Sequence, residues 1–289
     1  MEKKVLITGA TGSTGRNAVN RLLDLGISVR AMVHRIDRRS DELEKRGVQV
    51  VQGDISVFDD VSNALEGISA AYYVYPITIG GIIESTAFFA QAALEQNVCH
   101  ILNMSQISAR RISKSHAAQN HWVAERIFDR SGVPVTHIRP TFFAEWTTYF
   151  AGEIRENDRL TLPFGNAKYA PVTAEDQGNV IAAILANPSA HAGKTYPLFG
   201  PVELTQYDVA EILSEVLGRK ITYASMEIPE FAEYLKDKRS DYHIQHITAV
   251  AQDCRDGLFS GTNDFIEEIT GKIPTGMLEF ITSRKEIFQ

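Results

Sequence analysis

The sequence predicts an α/β fold, a doubly wound parallel sheet with a smaller α+β lobe at its C-terminal side. Three observations carry that prediction. A short apolar run, Val5-Leu6-Ile7-Thr8, ends in Gly9-Ala10-Thr11-Gly12-Ser13-Thr14-Gly15 and passes at once into an amphipathic segment bearing Ala18, Val19, Leu22, Leu23 and Leu25. Apolar strand-like runs then alternate with helical patterns as far as residue 140, the rhythm of βαβ units with right-handed crossovers. After residue 140 the rhythm breaks into aromatic clusters, turns and short helices.

The opening turn spaces its glycines as G-x-x-G-x-x-G, at positions 9, 12 and 15. One glycine permits the tight turn, one lets backbone approach a pyrophosphate, and one lets helix and strand pack closely. The free N–H groups and positive dipole end of the following helix then face an anion. Such a turn reads as a dinucleotide cradle contributed by Gly9, Thr11, Gly12, Ser13, Thr14 and Gly15, against the alternative of a purely structural turn. Gly26 marks the helix end, and residues 29–33 read as the second strand, which runs into His34 and Arg35. An acid about twenty residues past the fingerprint bonds a ribose 2′-hydroxyl, whereas arginine accommodates a 2′-phosphate. Here Arg35 stands there, with Arg38 and Arg39 beyond it, so NADP (NADPH over NADH) is the expected cofactor. The competing reading places Arg38 and Arg39 on the solvated face of a helix.

The third strand, residues 48–52, closes on Gly53-Asp54-Ile55. Asp54 and Ile55 either flank the adenine, or Asp54 caps a helix over residues 57–65. A fourth strand over residues 70–75 ends at Tyr75-Pro76 and a loose loop through residues 77–81. A helix over 83–96, a strand over 99–104 followed by Ser105, a helix over 115–131 and a strand over 135–140 complete the alternation. Ligands of parallel sheets bind outside the carboxyl ends of the strands. Gly9–Gly15, Arg35, Asp54, Tyr75, Pro76, Ser105 and residues 140–143, Phe143 included, are therefore expected around one crevice. We place a Rossmann-type NAD(P)-binding domain at residues 1–140 and a smaller substrate-covering lobe at 141–289, interleaved with the core sheet. That lobe opens with Phe142, Phe143, Trp146, Tyr149 and Phe150, which form either a wall for a flat aromatic substrate or lobe-to-lobe core. A turn at 163–165, helices over 172–186 and 204–217, a strand at 195–199, an edge strand at 220–223 and short helices over 229–289 follow.

Composition narrows the class. With 44% hydrophobic and 22% charged residues the chain has the make-up of an ordinary soluble globular protein. A net charge of −7, from 29 basic and 36 acidic residues, argues against nucleic-acid binding, which depends on phosphate neutralisation. Cys99 and Cys254 lack metal-ligand spacing, and Cys99, inside a strand-like run, is expected as a small buried hydrophobe. No metal is expected. A first strand starting by about Lys4 leaves no room for a signal peptide, and no apolar run approaches the ~20 residues of a membrane span, so a cytoplasmic location is expected.

With these pieces in hand the chain resembles the NmrA-like branch of the atypical short-chain dehydrogenase/reductases. The resemblance lies in residues 5–15, the strand end at Arg35, and the block from Glu125 through Ser131-Gly132-Val133 to Arg139-Pro140-Thr141-Phe142-Phe143. Residues 171–176, 204–210 and 217–221 extend it, so that it covers about residues 4–225 well and the tail weakly. Within the branch the chain is most similar to small quinone or azo-dye reductases and to fungal ergot-alkaloid reductases, which share the Gly218-Arg219-Lys220-Ile221-Thr222 run.

The resemblance also exposes a gap. Typical short-chain reductases carry a Tyr-x-x-x-Lys pair on the helix after the fifth strand, where tyrosine transfers the proton and lysine lowers its pKa. The corresponding helix here reads Ser115 to Glu125 without that pair, and Asn120-His121 stand where several relatives keep a lysine. Orienting a nicotinamide against an easily reduced acceptor needs little acid help. The expected function is therefore NADPH-dependent reduction of a small, flat, electron-poor aromatic acceptor of quinone, azo or imine type. His121 is the candidate proton donor or ribose contact, or else merely satisfies the helix–loop junction. Ser105 is the candidate partner of the nicotinamide ribose or a substrate carbonyl, and Glu125 a capping or pairing residue. The alternative is a non-catalytic NADP(H) sensor that binds a protein partner according to cofactor state. A nucleotide-sugar epimerase ranks last, because it relies on the missing pair. A homodimer is left open.

Overall fold

The computed structural model describes residues 3–77 and 79–289. Thr78, part of the loop expected over 77–81, lies outside the described residues. The chain runs β1 (Lys4–Thr8), α1 (Ser13–Asp24), β2 (Ser28–Val33), α2 (Arg38–Glu44), β3 (Gln49–Gln52), α3 (Phe58–Leu65), β4 (Ala70–Tyr73), α4 (Ile82–Glu95), β5 (His100–Met104), α5 (His116–Asp129) and β6 (Val135–Pro140). After a 3₁₀ turn (Ala144–Phe150) come α6 (Ala151–Asn157), β7 (Arg159–Leu162), α7 (Ala174–Ala186), β8 (Thr195–Leu198), α8 (Gln206–Leu217), β9 (Thr222–Ser225) and α9 (Ile228–Leu235). The chain ends in α10 (Asp241–Arg255), α11 (Phe265–Thr270), α12 (Met277–Thr282) and α13 (Lys285–Phe288).

Seven parallel strands in the order β3-β2-β1-β4-β5-β6-β8 make the main sheet, a Rossmann-like α/β arrangement. Strand side chains alternate between its faces, as the period of two requires. Val5 and Ile7 join Ala18, Val19, Leu22, Val180, Ile181 and Ile184 under α1 and α7, while Leu6, Ala71 and Tyr73 join Phe89 and Phe128 under α4 and α5. The smaller lobe has its own core, in which Phe142, Leu160, Phe164, Leu213, Phe259 and Phe280 meet, and a separate parallel pair, β7 with β9. The two parts interleave: β8 closes the main sheet beside β6, and α7 packs along α1, although both follow residue 140 in sequence. Among the described residues no helix is long and apolar enough to cross a membrane.

One expectation is corrected here. Cys99 is exposed, not a buried core residue. The strand begins one residue later, at His100, so Cys99 sits in the turn leading into the sheet.

Candidate functional site

The order of the sheet reverses at β1, which pairs with β2 on one side and β4 on the other. Loops leaving these two strands diverge, and a crevice of about 740 Å³ opens at their carboxyl ends, as expected for a topological switch point. Gly9, Thr11, Gly12, Ser13, Thr14 and Gly15 line its centre. Gly9 takes φ +63°, a left-handed value, so that the Gly12 N–H donates to the Gly9 carbonyl at 3.0 Å and closes the turn. At Gly15 a Cβ would stand 2.3 Å from the same carbonyl oxygen, so the helix can approach only with glycine there. Gly12 caps α1 with no side-chain hydrogen bond, which leaves the first-turn N–H groups pointing into the crevice. Open backbone donors at a positive helix end fit the pyrophosphate of a dinucleotide.

At one end of the crevice stand Met32, Val33 and His34 from β2, with Gly53, Asp54 and Ile55 after β3. His34 Nε2 lies 3.6 Å from Asp54 Oδ2, both side chains well exposed. Of the two readings of Asp54, the structure favours the crevice. Its Oδ1 accepts from the Ser56 N–H at 2.8 Å, while α3 takes Val57, not Asp54, as its cap residue. Arg35 is exposed beside this end but does not line the crevice, and among the described residues it has no ion-pair partner. Arg38 also stays outside: it turns along α2 to Glu42 at 3.1 Å, and Arg39 pairs with Asp37 at 2.6 Å. The solvated-face reading describes both.

The other end is built from Val74, Tyr75, Pro76 and Ile79 after β4, Met104 at the end of β5, and Phe143, Glu145 and Tyr149 after β6. Tyr75 donates its hydroxyl to the Gly80 carbonyl at 2.7 Å. Ser105 sits immediately behind Met104, buried, and its Oγ has no hydrogen-bond partner among the described residues. The aromatic run divides its labour. Phe143 and Tyr149 face the crevice, whereas Phe142 stacks on Phe259 at 4.3 Å inside the smaller lobe.

His121 is not where a proton donor would stand. It is 5% exposed, does not line the crevice, and burial against α10, with His246 nearby, pushes its pKa down to about 3. A neutral, enclosed imidazole keeps one N–H but is too weak an acid to protonate an acceptor at ordinary pH. Glu125 is likewise structural: fully buried, it takes a bidentate pair from Arg139 at 2.8 and 2.5 Å. Glu145, Met104 and Met32 join the crevice without a local motif to mark them, because only the folded sheet brings those strand ends together. Glu145 alone left a signal, an acid set among aromatics directly after a strand.

The profile of the NmrA-like family matches residues 1–275. The chain belongs to the NmrA-like family. An NAD(P)H azoreductase of Xenophilus azovorans is 28% identical over 228 residues, 78% of this chain and 78% of the relative. A (4-alkanoyl-5-oxo-2,5-dihydrofuran-3-yl)methyl phosphate reductase of Streptomyces griseus is 27% identical over 285 residues, covering 98% and 99%. Among solved structures, the NADPH complex of an NADPH-dependent quinone oxidoreductase from Escherichia coli superposes with a TM-score of 0.87 at 22% identity, covering 97% of this chain and 99% of that one. At that identity the match speaks for the fold alone.

Proposed function

We propose that this NmrA-like protein is an NADPH-dependent reductase of a small, flat, electron-poor acceptor of the quinone, azo or imine class. The observation that carries the reading is the continuity of one crevice from the uncapped start of α1 to the Phe143 and Tyr149 faces. The glycine turn would hold the phosphates of a dinucleotide. When bound, the dinucleotide supplies the hydride. The chain's own residues bind and orient: Met104 and Val74 present apolar surface, and Phe143 and Tyr149 offer aromatic surface to a planar acceptor, while Ser105, expected at the crevice, is buried outside its lining. The two relatives whose names describe reductases support the reaction class. Oxidation of NADPH in the presence of a panel of quinones, azo dyes and imines tests it. We expect turnover with at least one class, and tight NADPH binding without any turnover overturns it. One observation favours a second reading, a cofactor-state sensor: α5, His116–Asp129, carries neither tyrosine nor lysine. That reading requires different partner capture with NADP⁺ and NADPH, and equal capture rejects it.

A further inference from the structure

We propose that Glu145 is the acid that gives a proton to the reduced acceptor in this crevice. The assignment rests on the reductase reading above. Among the described residues two carboxylates line the crevice, and they stand at opposite ends of it. Asp54 belongs to the β2–β3 end beside His34, and its Oδ1 is taken by the Ser56 N–H. Glu145 opens the 3₁₀ turn after β6 and shares its end with Met104, Phe143 and Tyr149.

Its side chain is held in place. Both carboxyl oxygens lie 3.1 Å from the Ala174 N–H at the start of α7, so one donor is shared and lone pairs or a proton remain free toward the cavity. Half-burial raises its pKa above the usual carboxylate range, and Asp176 pushes the same way, against the Ala174 N–H, its own backbone N–H and Arg284. An acid poised upward in this way is better matched to proton transfer near neutrality. The competing donors are excluded by position or chemistry. Tyr149 is 73% exposed, the Tyr75 hydroxyl is engaged by Gly80, burial pushes the Tyr72 phenol far up, and His121 is enclosed under α10.

The step balances with the cofactor as reductant. A quinone gains a hydride, two electrons with one hydrogen, from the dihydronicotinamide, which is oxidised: the donor C–H bond breaks and an O–H bond forms at one carbonyl oxygen. The π electrons shift through the ring and leave a lone pair and negative charge on the opposite carbonyl oxygen. The Glu145 O–H bond breaks as a new O–H bond forms on that oxygen, and water later returns a proton to the carboxylate. The product is the hydroquinone.

The test compares Glu145→Gln with the unaltered chain on two acceptors, a neutral quinone and a triarylmethyl cation. The cation takes a hydride alone and becomes neutral, so it needs no acid. We expect the ratio of quinone to cation kcat to fall about 100-fold, the lower range for loss of a general acid. The NADPH Kd should stay within about twofold, because the amide still accepts from Ala174. With the unaltered chain, quinone turnover should decline as pH rises through the Glu145 pKa, and the variant should lose that limb. An unchanged ratio, or a pH limb that survives the substitution, overturns the assignment. A separate reading needs no acceptor: ¹³C titration of the Glu145 carboxyl in the cofactor-free protein should give a pKa above that of an ordinary glutamate, and an ordinary or lower value overturns it. If the unaltered chain reduces neither acceptor while binding NADPH, the reductase reading itself falls, and this assignment with it.

Discussion

The turn between β1 and α1 and the seam between α5 and α10 make opposite use of polar groups. In the turn, backbone donors are left uncapped and open to the crevice, and no side chain competes for them. In the seam, polar side chains pair across the boundary between the lobes, although His121 Nδ1 has no partner among the described residues. Ser115 Oγ pairs with His246 Nδ1 at 2.7 Å, and Arg110 holds the buried Asp253 through two contacts of 2.8 and 2.5 Å. The first arrangement forgoes local hydrogen bonds in order to bind. The second uses them to fasten the smaller lobe to the sheet, since α10 belongs to that lobe and α5 to the core. A polar residue's neighbours in space, not its chemical type, decide which of these it does.

The largest effect is expected where the turn is broken outright. In Gly15→Ala the new Cβ would meet the Gly9 oxygen at 2.3 Å, the Gly9 carbonyl carbon at 2.8 Å and the Ala10 Cα at 2.9 Å. These are backbone atoms and cannot swing aside, so the turn must open. We expect NADPH affinity to fall at least about 100-fold, roughly 2.7 kcal/mol, with overpacking costing a further 1–3 kcal/mol of stability. Gly12→Ala is the contrasting variant, since its Cβ would meet only the Gly9 oxygen at 3.3 Å. Its loss should stay within about tenfold. Calorimetric titration of both variants checks the pair, and equal losses would show that close approach at Gly15 is not what the turn needs.

The seam should answer to pH. Burial pushes His121 down to about 3 and His246 down to about 4, from an ordinary value of 6.5. The folded protein therefore refuses protons that the unfolded chain accepts. The seam's contribution is intact above about pH 6.5 and is lost as pH falls from there toward 4. Each such histidine adds about 1.4 kcal/mol per pH unit to the slope of stability in that window. His100, with its pKa lowered to about 4, adds to the same limb. His121→Met removes one proton site without stranding a partner, because His121 Nδ1 has none among the described residues. Urea unfolding at several pH values should show a slope shallower by about 1.4 kcal/mol per unit, and an unchanged slope would place His121 outside the buried seam.

The contrast also explains what the sequence revealed. The glycine turn is local: spacing at 9, 12 and 15, an apolar strand before it and an amphipathic helix after it contain the whole geometry. The alternation of strands and helices likewise announced the parallel sheet, and the resemblance in residues 5–15 and 125–143 announced the family. The environment of His121 was not local, because α10, more than a hundred residues later, is what encloses it. Glu145 was obscured for the same reason. Its placement depends on Ala174, which α7 carries back beneath the crevice. Cys99 failed by a single residue, since a strand's hydrophobic pattern does not mark the strand's first hydrogen bond.

The smallest effect expected lies at the rim of the turn, and it decides which residue selects the cofactor. Arg35 holds the sequence position expected to take a 2′-phosphate, but the crevice is lined by His34, and Arg35 stands outside it. Both side chains are exposed, so water screens any contact they make, and an exposed charge pair contributes about 1 kcal/mol or less. That corresponds to roughly a fivefold change in affinity, well short of what a buried arginine fork would give. A carboxylate beside His34 complicates its part, because Asp54, 3.6 Å from the imidazole, repels a phosphate. The Arg35 guanidinium has no such neighbour among the described residues and offers a planar fork of donors. We therefore expect Arg35→Ala to lower the NADPH-to-NADH affinity ratio about fivefold. His34→Ala should lower it by less, within about twofold. Titrations of both variants with both cofactors separate the residues. A ratio that moves with neither substitution would leave the backbone of the turn as the whole of the cofactor site.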